Sequence, residues 1–118
     1  QLKYSCRHGR MSSMRTPLHP ACEDLSLPHI LYALGDPLRL RIVGQLAEVD
    51  EAISCGDLHV VKEVPKSTGS HQFKVLREAG LIRMLPQGRR VLVSLRRDDL
   101  ETRFPGLLET ILNTYHRQ

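Results

Sequence analysis

Lys66, Ser67, Thr68, Ser70, His71 and Lys74 bring short hydroxyls, an imidazole and two ammonium groups close together, and Gln87, Arg89 and Arg90 follow a little further along. Hydroxyl and imidazole groups exchange hydrogen bonds with base edges, whereas ammonium and guanidinium groups pair with phosphate. Residues 66 to 97 hold eight basic side chains (Lys66, Lys74, Arg77, Arg83, Arg89, Arg90, Arg96, Arg97) and one acid, Glu78. The rest of the chain carries nine basic and twelve acidic residues, so the overall +4 conceals a local +7. Such a field suits a polyanionic partner. On charge alone, a solvated basic face is an equally good reading.

Other chemistry is sparse. Cys6, Cys22 and Cys55 are odd in number and widely spaced, which argues against the disulfide framework of a small secreted domain and fits a reducing, cytoplasmic setting. Three thiolates, with His8 and His19 nearby, could form a trigonal site for a soft metalloid such as arsenite, or a thiol sensor. A lone cysteine is more commonly a small buried apolar residue, and the sequence requires neither a metal nor any other cofactor. No paired carboxylates, phosphate-binding glycine loop, nucleophile signature or His-Glu-x-x-His motif is present, so an enzyme is not expected. Ser70 and His71 are neighbours on a helix, where their side chains diverge by about 100°, which is poor geometry for a catalytic dyad.

The elements that must position these side chains are mostly helices. A chain of 118 residues is one domain, and no apolar run approaches the roughly 18 residues that span a bilayer. Residues 1–20 lack sustained periodicity and read as a flexible arm without a secretory signal, followed by a folded domain over 21–118. Leu27, Ile30, Leu31 and Leu34 recur at helical spacing, with Ser26 as N-cap and Gly35 as the stop. Asp36 followed by Pro37 starts a second helix with the stripe Leu38, Ile42, Val43 and Leu46. The polar stretch Glu48 to Ser54 leads to a short helix from Gly56 to about Lys62, and Val64-Pro65 forces a tight turn.

The next helix runs from about Lys66 to Ala79 and is closed by Gly80. Ser67, Ser70, His71, Lys74, Arg77 and Glu78 fall within an arc of about 120°, while Gly69, Phe73 and Leu76 lie opposite. Gln72 falls towards the packed side, and His71 has a second reading as a structural histidine. Leu81 to Leu85 and Arg90 to Leu95 then read as strands joined by the turn residues Pro86-Gln87-Gly88-Arg89. Asp98 or Asp99 caps a last helical segment, which is interrupted at Phe104-Pro105-Gly106. The whole is mainly α with a small β-hairpin: a winged helix-turn-helix. Its first and last helices would pair two subunits through Leu27, Ile30, Leu31, Leu107, Leu108, Ile111, Leu112 and Tyr115.

Three segments, Leu34 to Val43 (LGDPLRLRIV), Lys66 to Leu81 (KSTGSHQFKVLREAGL) and Gln87 to Val91 (QGRRV), resemble the ArsR/SmtB family of bacterial transcription regulators over about residues 27 to 112. The resemblance implies a homodimeric winged-helix repressor that binds a palindromic operator in double-stranded DNA and leaves it when an inducer binds. It implies that Ser67, Thr68, Ser70 and His71 read bases, with Lys66, Lys74, Arg89 and Arg90 on phosphates or the minor groove and Gln87 in the wing. The family's metal-ligand positions are not kept. Ser54 and Gly56 stand where a Cys-x-Cys pair is expected, and residues 98–118 offer only His116 from the terminal-helix set. A winged-helix module that holds a protein partner without DNA affinity is the other reading.

Overall fold

The computed structural model describes residues 18–117. Helices α1 (Leu27–Leu34), α2 (Pro37–Val49), α3 (His59–Lys62) and α4 (Lys66–Ala79) precede a hairpin of β2 (Ile82–Gln87) and β3 (Arg90–Leu95), and α5 (Arg97–Arg103) and α6 (Leu107–His116) close the chain. A two-residue strand, β1 (Ile53–Ser54), gives a three-stranded antiparallel sheet in the order β1-β3-β2. No described helix is long and apolar enough to cross a membrane.

Local signals account for most boundaries. The Asp36 carboxylate accepts from the backbone N–H of Leu38 and of Arg39, both at 3.0 Å, and so satisfies two of the donors that begin α2. Ser26 precedes α1 but makes no side-chain cap. Asp50, at φ 53°, ends α2. Gly80 ends α4 at φ 90°, and a Cβ there would lie 2.0 Å from Leu25 Cδ2, so both backbone and space call for glycine. In the hairpin, Gly88 at φ 64° occupies the first of two central turn positions, where a type II′ turn needs a positive φ.

One core joins these elements. Ile30 and Ala33 of α1, Ile42, Val43 and Leu46 of α2, Phe73 and Leu76 of α4, Ile82 and Val93 of the sheet, and Leu100 and Leu112 of α5 and α6 are all buried. Burying each large aliphatic or aromatic side chain contributes about 1.5–3 kcal/mol, which fixes α4 by one face and leaves the opposite face in solvent.

Several expectations need correcting. β1 lies within the stretch read as polar linker, and its strand character comes from pairing Ile53 with Val93 and Ser54 with Leu92. The short helix divides into a 3-10 turn at Cys55–Asp57 and α3, with Leu58 between them. The wing strand continues through Pro86 and Gln87, so the turn has two residues rather than four. α5 starts at Arg97, one residue before Asp98, because Arg96 takes the cap position and holds Asp99 from there. Within the stretch read as an arm, the Leu18 carbonyl accepts from Arg77 and the Pro20 carbonyl from Arg96, while the Leu18 side chain is exposed.

Candidate nucleic-acid interface

α4 presents what its periodicity promises. Lys66, Ser67, Ser70, His71 and Lys74 are exposed, Thr68 is half-buried, and Gly69, Phe73 and Leu76 face the core. Gly69 faces Val61 of α3, where a Cβ would stand 3.4 Å from Val61 Cγ1, an ordinary contact distance. The His71 side chain is exposed in the protomer. The ion pair of Lys74 with Glu78 is 4.0 Å long between two exposed side chains, an interaction weak enough for phosphate to replace. At the far end of the wing Gln87, Arg89 and Arg90 are exposed, and neither arginine makes an ion pair among the described residues.

The basic cluster does not act as one field. Arg96, buried at 6% exposure, grips Asp99 with Nε and Nη2 at 3.0 and 2.8 Å. Arg83 reaches the same carboxylate at 3.5 Å, and its pKa is lowered by burial and by the Arg96 charge, with Asp99 opposing. Arg97 pairs with Asp50 at 3.1 Å and donates to the Ala47 carbonyl. Arg77 is engaged by the Leu18 carbonyl at 2.5 Å. Four of the eight basic groups therefore hold the scaffold, and Lys66, Lys74, Arg89 and Arg90 are left facing outward.

Of the cysteine and histidine constellation, Cys22, Cys55 and His19 are among the described residues. Cys6 and His8 lie outside the described residues. Cys22 is buried without a free thiol, with its Sγ 3.8 Å from the Asp99 carbonyl. Cys55 is a free, half-buried thiol whose pKa burial pushes up to about 11, so it is protonated and a poor nucleophile at neutral pH. The His19 imidazole accepts from the Met84 backbone N–H at 2.9 Å, which covers the outer edge of β2. No group of three His, Cys, Asp or Glu able to hold a metal exists among the described residues.

A model of a helix-turn-helix domain matches residues 34–84, the stretch from the end of α1 into β2. An uncharacterized HTH-type transcriptional regulator, YceK of Bacillus subtilis (strain 168), is 39% identical over 89 residues, which is 75% of this chain and 89% of that protein. A transcriptional repressor SmtB homolog of Synechocystis sp. is 41% identical over 63 residues, 53% of this chain and 46% of its own length. The chain belongs to the ArsR/SmtB family of helix-turn-helix transcriptional regulators. Among solved structures, an ArsR family transcriptional regulator shares the fold at TM-score 0.58 and 22% identity, covering 71% of this chain and 90% of that one. The repressor BigR of Xylella fastidiosa aligns at TM-score 0.52 and 25% identity, covering 66% and 85%. The fold of this ArsR/SmtB chain is a winged helix-turn-helix, with β2 and β3 as the wing.

Sequence reasoning missed one buried polar centre of this ArsR/SmtB chain. Arg39, at 8% exposure, donates to Gln72 Oε1 at 2.8 Å and to the Ala33 and Tyr32 carbonyls at 2.7 and 3.4 Å. The signal available was the placement of Gln72 on the packed side of α4, a polar residue that would need a partner there.

Proposed function

We propose that this protein is a homodimeric repressor that holds a palindromic operator with α4 in the major groove and with the wing on the flanking backbone or minor groove, and that an inducer releases it. Ser67, Thr68, Ser70 and His71 read base edges; Lys66, Lys74, Arg89 and Arg90 neutralise phosphate, and Gln87 supports the wing contact. The observation that carries this reading is the sorting of the basic residues: those on the outward face of α4 and at the wing tip are the ones not taken by the scaffold. The dimer reading rests on apolar surface. Leu27 and Leu31 are 41% and 48% exposed on α1, beside half-buried Leu107, Leu108, Ile111 and Tyr115 on α6. Ile30 and Leu112 leave the interface set, because they are 1% and 8% exposed inside the protomer's own core.

Recovery of bound fragments from a random duplex pool tests the reading. The expected product is an inverted repeat with half-sites about 34–36 Å apart, bound with a steep salt dependence. Ser70→Ala and His71→Ala should each relax preference at one base position by about 1–3 kcal/mol. Equal losses on operator and random DNA would overturn that assignment, and a monomer indifferent to every duplex at low salt would overturn the whole.

A further inference from the structure

Arg39 sits where α1, α2 and α4 converge. Its backbone N–H is held by Asp36 and its side chain by the last-turn carbonyls of α1, at the end where the helix dipole is negative. The guanidinium lies 5.4 Å from the centre of the Tyr32 ring, and Tyr32 is itself 68% exposed on the same helix as Leu27 and Leu31. The remaining direction is taken by Gln72, in the middle of α4 and next to His71. A planar fork with fixed donor directions holds two helices at a set angle, which a flexible ammonium does not.

Within the DNA-binding reading above, we infer that Arg39 is a positioning residue: through its bond to Gln72 it fixes the roll and spacing of α4 relative to the dimer face on α1. The apolar contacts of Phe73 and Leu76 hold α4 down but leave sliding and rolling cheap, because they are non-directional. The Arg39 to Gln72 bond is directional and charge-assisted, and it lies one residue from the base-reading set. In a two-fold dimer any change in roll is applied twice, once in each half-site.

The full-length protein, the inverted repeat recovered above and a random duplex of equal length provide the test. Gln72→Met keeps the bulk and removes the acceptor; Arg39→Lys keeps the charge and removes the fork; Gln72→Glu keeps an acceptor. The first two should lose about tenfold in affinity for the inverted repeat, keep the wild-type affinity and salt slope on random duplex, and select a broader range of half-site spacings. Gln72→Glu should restore both selectivity and spacing. Unchanged selectivity and spacing in Gln72→Met would overturn the inference alone. Parallel losses on both duplexes, matching a fall in folded fraction by circular dichroism, would also overturn it by showing a merely structural bond. A wild-type protein that binds neither duplex overturns the DNA reading itself.

Discussion

The two ends of one hairpin treat arginine in opposite ways. At the base, Arg96 is desolvated and bonded to Asp99 and to the Pro20 carbonyl, with Arg83 on the same carboxylate. At the tip, Arg89 within the turn and Arg90 at the start of β3 stand in water. The base arginines join the wing to α5 and to the residues entering α1, so their charge is consumed within the protomer. The tip arginine side chains make no ion pair among the described residues, which leaves them facing solvent. A positive count in a sequence thus divides into scaffold and interface according to which carboxylates and carbonyls the fold brings near.

The largest expected effect would come from breaking the base. Arg96→Met leaves Asp99 partly buried and the Pro20 carbonyl without its donor, and should lower unfolding free energy by about 3 kcal/mol in a denaturant titration. If stability were unchanged, the contrast between base and tip would disappear. At the tip, Arg89→Ala with Arg90→Ala should leave the same titration unaltered and make the salt dependence of DNA binding shallower by about 0.9 for each phosphate that the tip no longer neutralises. A slope equal to wild type would remove the wing tip from the interface.

Mid-hairpin, a smaller effect sharpens the picture. Cys55 follows β1, which pairs with Val93 and Leu92 halfway along the hairpin. Burial raises its pKa from 9.0 to about 11, so the folded state holds the thiol proton more tightly than the unfolded chain does. That contribution to stability is present below about pH 9 and is lost as pH rises through about 11. Pairs of denaturation curves for wild type and Cys55→Ser should diverge across that window and run parallel below it. Divergence at pH 6 to 8 would mean that the thiol ionises more easily than its burial implies.

How legible each part was follows from how local its cause is. The face of α4 could be read because a period of about 3.6 residues and the opposition of Phe73 and Leu76 to Ser70 and Lys74 are contained in the sequence. The turn at Gly88 was readable because positive φ favours glycine. The strand β1 was not, since two residues acquire strand character only from their partner in β3. The apolar stripe of α1 was found as a whole but not apportioned: Ile30 turned inward and Leu31 outward, a distinction set by where α4 and α6 come to rest.

By itself the amino-acid sequence determined the helices, the capped start of α2, the outward chemistry of α4 and the basic wing tip, because capping, periodicity and turn preference act over a few bonds. Tertiary structure alone decided which arginines are internal, that Cys55 is quenched by burial, and that Arg39 of α2 meets Gln72 of α4 across 33 positions. Those outcomes depend on desolvation and on directional bonds between groups distant in the chain, and neither exists until the core has closed.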